Sequence, residues 1–156
     1  LTVVPRRGKM GKRRYTMICY VIGAGETPSE PPRPAAGDLV IAADAGLTLA
    51  HALGMTPALT VGDFDSLGHA PTGGEIVRLP VEKDDTDMEA ALKIGRERGY
   101  RRFYLFGGTG GRPDHTYANY QLLADCARRH EEAVLFGAGF RTAAMLTKDG
   151  FCDVEL

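Results

Sequence analysis

Short apolar and aromatic runs recur along the chain: MICYVI (17–22), LVIAA (39–43), ALTV (58–61), EIVRL (75–79), RFYLF (102–106) and AVLF (133–136). Continuous runs of this length predict strands buried on both faces, as in a parallel sheet. Between several of them the apolar period changes from strand-like to helical. In TDMEAALKIGRERG (86–99), Met88, Ala91, Leu92 and Gly95 fall at i, i+3, i+4 and i+7, while Lys93, Arg96, Glu97 and Arg98 turn largely to solvent. Thr86 and Glu89 have capping-box spacing, and Gly99 can close the helix. DHTYANYQLLADCARRH (114–130) predicts a second helix and GLTLAHALG (46–54) a shorter one. Strands alternating with helices predict an α/β fold with a parallel sheet covered by helices.

Two stretches break the rhythm. GETPSEPPRPAAGD (25–38) is too rich in proline for a regular helix and reads as a surface connection. Near the end, RTAAML and FCDVEL flank TKDG, a hairpin with Asp149-Gly150 as its turn. Such a hairpin leaves an exposed edge that folded proteins cover. The expectation is that 141–156 begin a second, β-rich region that is largely missing here.

The chain has 156 residues, of which 44% are hydrophobic and 25% charged, as expected for one globular domain. Its net charge of −1 hides an asymmetry. Arg6, Arg7, Lys9, Lys12, Arg13 and Arg14 form a basic leader without acids, leaving 13 basic against 20 acidic residues from Tyr15 onward. An acidic body argues against a nucleic-acid surface. Residues 1–16 read as a disordered leader, with Met17 a plausible natural start. No apolar run approaches the ~20 residues of a membrane span. Cys19, Cys126 and Cys152 are widely separated and form no C-x-x-C pair, the pattern of buried thiols in a cytosolic protein.

The acids carry the chemistry. Asp44 follows the second predicted strand, and Asp63 and Asp65 follow the third. Asp84, Asp85 and Asp87 lie between the fourth strand and its helix, and Asp114 opens the helix after the fifth. In a parallel sheet those junctions share the carboxyl edge, where open α/β folds bind ligands. Gathered carboxylates repel, so the cluster calls for a cation, and an all-Asp set suits a hard one such as Mg²⁺. Asp87 and Asp114 have the alternative role of helix-start dipole partners, D-A-G at Asp44 is also an ordinary turn, and Asp85 is expected to face solvent. In FGGTGGRPDH (106–115), glycines, a helix start and Arg112 suit an anion, although the spacing matches neither the P-loop nor the dinucleotide fingerprint. Lys83 stands ready to neutralise a phosphate or its acidic neighbours. GAGE (23–26) is a weaker signal, and His115 reads more readily as a packing or hydrogen-bonding residue than a catalytic one.

DAG (44–46), GDFDS (62–66), KDDTDMEAAL (83–92) and GGRPDHTYAN (110–119), in that order and spacing, resemble the catalytic domain of the thiamine pyrophosphokinase family. The resemblance runs from about Met17 to the end of the chain. It implies a three-layer αβα domain with a mostly parallel, Rossmann-like sheet over 17–140, followed by a β-sandwich. It also implies Mg²⁺-dependent transfer of pyrophosphate from ATP to thiamine in a cytoplasmic homodimer. By position, Asp63, Asp65 and Asp87 match metal-binding carboxylates, while Asp44, Asp84 and Thr86 match acidic and nucleotide-contacting positions, and Lys83 with Arg112 would hold phosphate oxygens. Arg112 and Asp114 match the loop that meets phosphates and substrate, and Asn119 a helix-borne orienting residue. Asp84 and Asp114 are the candidate general bases. Three other readings stay open. DFDSL also resembles the nucleophile motif of haloacid-dehalogenase-type phosphohydrolases, with Asp63 as nucleophile. The chain also fits a truncated Mg-nucleotide-binding module without turnover, or the same transfer to another alcohol such as a hydroxymethylpterin.

Overall fold

The computed structural model describes residues 17–64, 74–80, 85–147 and 150–155, with backbone alone at 147 and 150–155. In chain order the elements are β1 (Cys19–Ile22), β2 (Leu39–Ala43), α1 (Gly46–Ala52), β3 (Leu59–Gly62), β4 (Glu75–Arg78) and α2 (Asp87–Glu97). Then follow β5 (Arg102–Phe106), α3 (Pro113–Arg128), β6 (Glu132–Phe136), β7 (Arg141–Thr147) and β8 (Gly150–Glu155). They form one sheet of order β4-β3-β2-β1-β5-β6-β7-β8. The first six pair in parallel, and β7 and β8 are antiparallel. The chain lays strands outward from β1 to β4, then α2 carries it back to β5 on the other side of β1. The order therefore reverses between β1 and β5, leaving a crevice at their carboxyl ends.

The central strands are buried on both faces, as their unbroken apolar runs predict. On one face α2 packs on β1, β2 and β3, and α3 on β6 and β7, around Val21, Ile41, Leu92, Phe103, Leu105 and Leu123. On the other, α1 lies against β1 and β2. Together the layers make the expected αβα sandwich. The α1 face is completed by side chains rather than by a second long helix. Phe106 and Phe136 stack with ring centroids 4.6 Å apart, and Tyr20 and Tyr104 meet edge to face at 5.7 Å. The Pro-rich connection runs over the surface, where Arg33 O accepts from the Tyr20 hydroxyl at 3.1 Å.

Helix α2 shows how sequence sets its limits. The Thr86 hydroxyl accepts from Glu89 N at 3.2 Å, one arm of the anticipated capping box. Glu89 Oε1 lies 3.5 Å from Lys93, one turn on. At the other end Gly99 N donates to Arg96 O and Tyr100 N to Gly95 O, each at 3.0 Å, a Schellman closure that needs the positive φ of Gly99. Met88, Ala91, Leu92 and Gly95 are buried as the period requires.

One expectation changes. EIVRL was expected to be buried on both faces, but β4 is the sheet's edge strand and exposes Glu75, Ile76 and Arg78. Burial follows from position in the sheet, which a five-residue run does not encode. The terminal hairpin was expected to open a separate β region. Its first strand pairs with β6, Phe136 opposite Arg141 and Leu135 opposite Thr142, so the hairpin is joined to the sheet. Thr147 is in register with Gly150, and Asp149 of the expected turn lies outside the described residues. The leader 1–16 also lies outside them. Cys19 and Cys126 are buried free thiols, as anticipated. Among the described residues no helix is long and apolar enough to cross a membrane.

Gly95 offers a test of packing against propensity. Alanine is the better helix former by ~1 kcal/mol, yet a Cβ here would stand 2.9 Å from both Cys19 Sγ and Phe103 Cε1. Overpacking costs ~1–3 kcal/mol, so Gly95→Ala should lower stability by about 1 kcal/mol in urea unfolding. A gain would show that β1 and β5 yield to the helix.

Burial pushes the Cys19 thiol up to about 12 and the Cys126 thiol up to about 11, from an ordinary 9.0. Burial also raises the phenols of Tyr20 and Tyr100. A raised acid ionises first in the unfolded chain, so this stabilisation is complete below about pH 9 and falls as pH climbs toward 12. The urea midpoint should decline across that alkaline window, and more shallowly in Cys19→Ala.

Candidate functional site

The crevice between β1 and β5 is walled by two glycine-bearing loops that touch backbone to backbone. Gly23 N donates to Phe106 O at 2.7 Å, Gly25 N to Gly107 O at 2.8 Å and Glu26 N to Thr109 O at 2.8 Å, prolonging the parallel ladder beyond the strands. A Cβ on Gly25 would come within 2.2 Å of Thr109 O, and one on Gly107 within 2.3 Å of Gly23 O. GAGE, the weaker of the two signals in the sequence, is thus one side of the site. From α3, Asn119 is 4% exposed and donates from Nδ2 to Gly108 O at 2.7 Å, pinning the second loop to the helix behind it.

These loops open onto a cleft of about 570 Å³. Asp44, Asp85, Thr86, Asp87, Arg112 and Asn119 all line it, and so does His115. Asp44 leaves the end of β2 with φ +47°, a left-handed conformation that is uncommon outside glycine, held by Asp44 N donating to Val61 O at 2.7 Å. Gly62 permits it, because a Cβ there would lie 3.0 Å from Asp44 Cα. Thr86 and Asp87 stand at the N-terminus of α2, and Arg112 and His115 at that of α3, where Pro113 occupies the first turn. Two helix starts and a glycine loop bring positive potential to a cleft whose acids bring negative charge. That combination accommodates an anion together with a cation.

The predicted residues divide into three groups. Asp44, Thr86, Asp87, Arg112 and Asn119 come together at the cleft. Asp63 and Asp114 do not line it. Asp63 is half-buried one residue beyond Gly62, which packs on Asp44, and Asp114 sits exposed in the first turn of α3. Asp65, Lys83 and Asp84 lie outside the described residues. Among the described residues, no three His, Cys, Asp or Glu side chains converge as a metal site would require. Asp85, expected to face solvent, is half-buried at the cleft wall with Lys93 Nζ 2.5 Å from its Oδ2.

Arg112 and Asp114 are engaged with each other, Nη2 to Oδ2 at 2.5 Å and Nε to Oδ1 at 3.2 Å. The hydrogen bond and charge of the guanidinium hold the Asp114 carboxyl below its ordinary range. In this arrangement Asp114 is a weak proton acceptor, and an incoming anion must compete with it for Arg112. The pair is exposed, so that competition is screened and mild.

Residues 35–135 match the family model described as thiamin pyrophosphokinase, catalytic domain. The chain is 35% identical over 91 residues to a thiamine pyrophosphokinase of Bacillus subtilis (strain 168), covering 54% of this chain and 42% of that protein. Among solved structures it resembles thiamin pyrophosphokinase from Geobacillus thermodenitrificans with TM-score 0.67 and 29% identity, over 83% of this chain and 64% of that one. It resembles thiamine pyrophosphokinase from Bacillus subtilis with TM-score 0.70 and 25% identity, over 81% and 63%. The chain therefore spans less than two thirds of the length of these relatives.

Asn119→Leu keeps volume but leaves the buried Gly108 carbonyl without the amide. The substitution should lower stability by about 1–3 kcal/mol in urea unfolding. An unchanged midpoint would show that Gly108 O has another donor.

Proposed function

The chain belongs to the thiamin pyrophosphokinase catalytic-domain family, and from that premise we propose that it binds Mg-ATP in the β1/β5 cleft as part of a thiamine pyrophosphokinase. The reaction would move the β,γ-pyrophosphoryl group of ATP to the hydroxyethyl oxygen of thiamine, yielding thiamine diphosphate and AMP. The observation that carries this reading is the cleft itself, in which paired glycine loops and two helix starts meet Asp44, Asp87 and Arg112 at the sheet's switch point. The phosphohydrolase alternative is not favoured, since Asp63 ends the third strand rather than the first and the relatives are pyrophosphokinases.

Asp63, Asp65 and Asp87 would offer hard carboxylate oxygens of the kind Mg²⁺ takes, Asp87 from the cleft lining, and we assign the ion to them by their place in the family's motifs. When bound, the ion would neutralise phosphate charge and help to orient the transferred group. The remaining work falls to the chain. Loop 107–112 presents backbone amides to the phosphates, and Arg112 gives its fork to a phosphate oxygen in exchange for Asp114. Thr86 and Asp44 shape the floor beneath the nucleotide, Lys83 adds positive charge, and Asn119 keeps the loop in place. A carboxylate takes the thiamine hydroxyl proton as the oxygen attacks the β-phosphorus and AMP departs. Asp84 and Asp114 are the candidates for that base, the second once Arg112 has exchanged it for phosphate. We further propose that residues 141–155 lead into the family's β-rich thiamine-binding region, and that the enzyme works as a cytoplasmic homodimer.

³¹P NMR of the protein with ATP, Mg²⁺ and thiamine should show AMP and thiamine diphosphate, and Asp87→Asn should lower the rate at least 100-fold with folding intact. ADP or inorganic phosphate would overturn pyrophosphoryl transfer. ATP binding without product would favour a nucleotide-binding module. Product from a hydroxymethylpterin in place of thiamine would keep the chemistry and change the acceptor.

A further inference from the structure

Glu26 has no place in the cleft lining, yet three connections meet on it. Its backbone N donates to Thr109 O at 2.8 Å. Its carboxylate Oε1 accepts from the Thr109 hydroxyl and, at 3.4 Å, from Ala138 N beyond the end of β6. Its own Cβ closes against Gly110, where an added Cβ would lie 3.0 Å away. Thr109 is 3% exposed although it sits between glycines in a surface loop. That loop needs such an anchor. Gly107, Gly110 and Gly111 all hold positive φ, at +60°, +78° and +66°, conformations that glycine adopts freely and leaves as freely.

We propose that Glu26 is a positioning residue, which braces loop 107–112 from outside the cleft so that its amides and Arg112 are already arranged when an anion arrives. An unbraced glycine loop must be ordered at the moment of binding, at the expense of affinity, and a braced one is not. Both side-chain bonds use the same oxygen, so the role is that of an acceptor and does not need the negative charge. A lone glutamate behind a loop that meets phosphates would otherwise work against it, and the two donors on Oε1 offset part of its charge.

The effect on nucleotide rests on the function proposed above, whereas the brace itself does not, and two readouts separate them. In the free chain, hydrogen exchange at the amides of 107–111 should quicken about tenfold in Glu26→Ala, the scale of one lost hydrogen bond, and stay near parental in Glu26→Gln. By titration calorimetry with Mg-ATP, Kd should rise about tenfold in Glu26→Ala and remain within about twofold in Glu26→Gln. Thr109→Val should reproduce the alanine effect, Thr109→Ser should not, and Glu26→Ala with Thr109→Val should be no worse than either alone. Should Glu26→Ala fail to fold, the Thr109 pair carries the same comparison. Parental exchange in a folded Glu26→Ala would overturn the proposal, as would a Gln variant as impaired as Ala. If the parental chain binds no ATP, the assigned function fails while the exchange measurement still decides the brace.

Discussion

Everything in the site depends on the contact between two backbones at the carboxyl ends of β1 and β5. Neighbouring parallel strands lie about 4.8 Å apart, and loops leaving them normally diverge to make room for side chains. Here they stay together for three further hydrogen bonds, from Gly23, Gly25 and Glu26. The glycines on both sides make this possible, since a single Cβ at Gly25 would occupy the position of Thr109 O. Because the strand order reverses between β1 and β5, no crossover connection fills the space above the joined loops. The cleft is the volume that topology leaves open, and the close approach gives it a firm wall.

Charge is balanced across that wall by elements of opposite polarity. The ends of β2 and the start of α2 deliver Asp44, Asp85 and Asp87, while the starts of α2 and α3 deliver unpaired amides and positive potential. Asp85 is offset locally by Lys93, and Asp44 and Asp87 line the cleft together with the glycine loops. The left-handed backbone at Asp44 fits that picture. Strain of this kind persists only where the surroundings hold it, and here the bond to Val61 O holds it while the bare Cα of Gly62 leaves room for it.

Much of this was legible in the sequence because apolar runs and helix signals are local. Strands β1, β2, β3, β5 and β6 and helices α1, α2 and α3 follow from them within a few residues, and the acids at the strand ends follow from the same scheme. What was not legible depends on partners distant in sequence. EIVR reads like a central strand, and only the sheet order makes it an edge. The hairpin's attachment to β6 rests on pairing rather than on its own residues. Glu26 is one acid beside a proline-rich connection, and its role arises only when Thr109 and Ala138, 83 and 112 residues away, fold around it. GAGE looked weak for a related reason, as its glycines matter through the loop they face.

The Arg112 and Asp114 pair shows why spacing alone assigns roles poorly. Both residues belong to a loop suited to phosphate, and each has chemistry that catalysis can use, but in the free chain each occupies the other. A carboxylate on a guanidinium mimics a phosphate oxygen in shape and charge, and the two bonds to Asp114 keep the fork oriented. It also keeps the Asp114 carboxylate bonded and a weak proton acceptor for as long as the pair persists. Pairing ties the chemistry of the two residues together, and that tie exists only in the folded geometry.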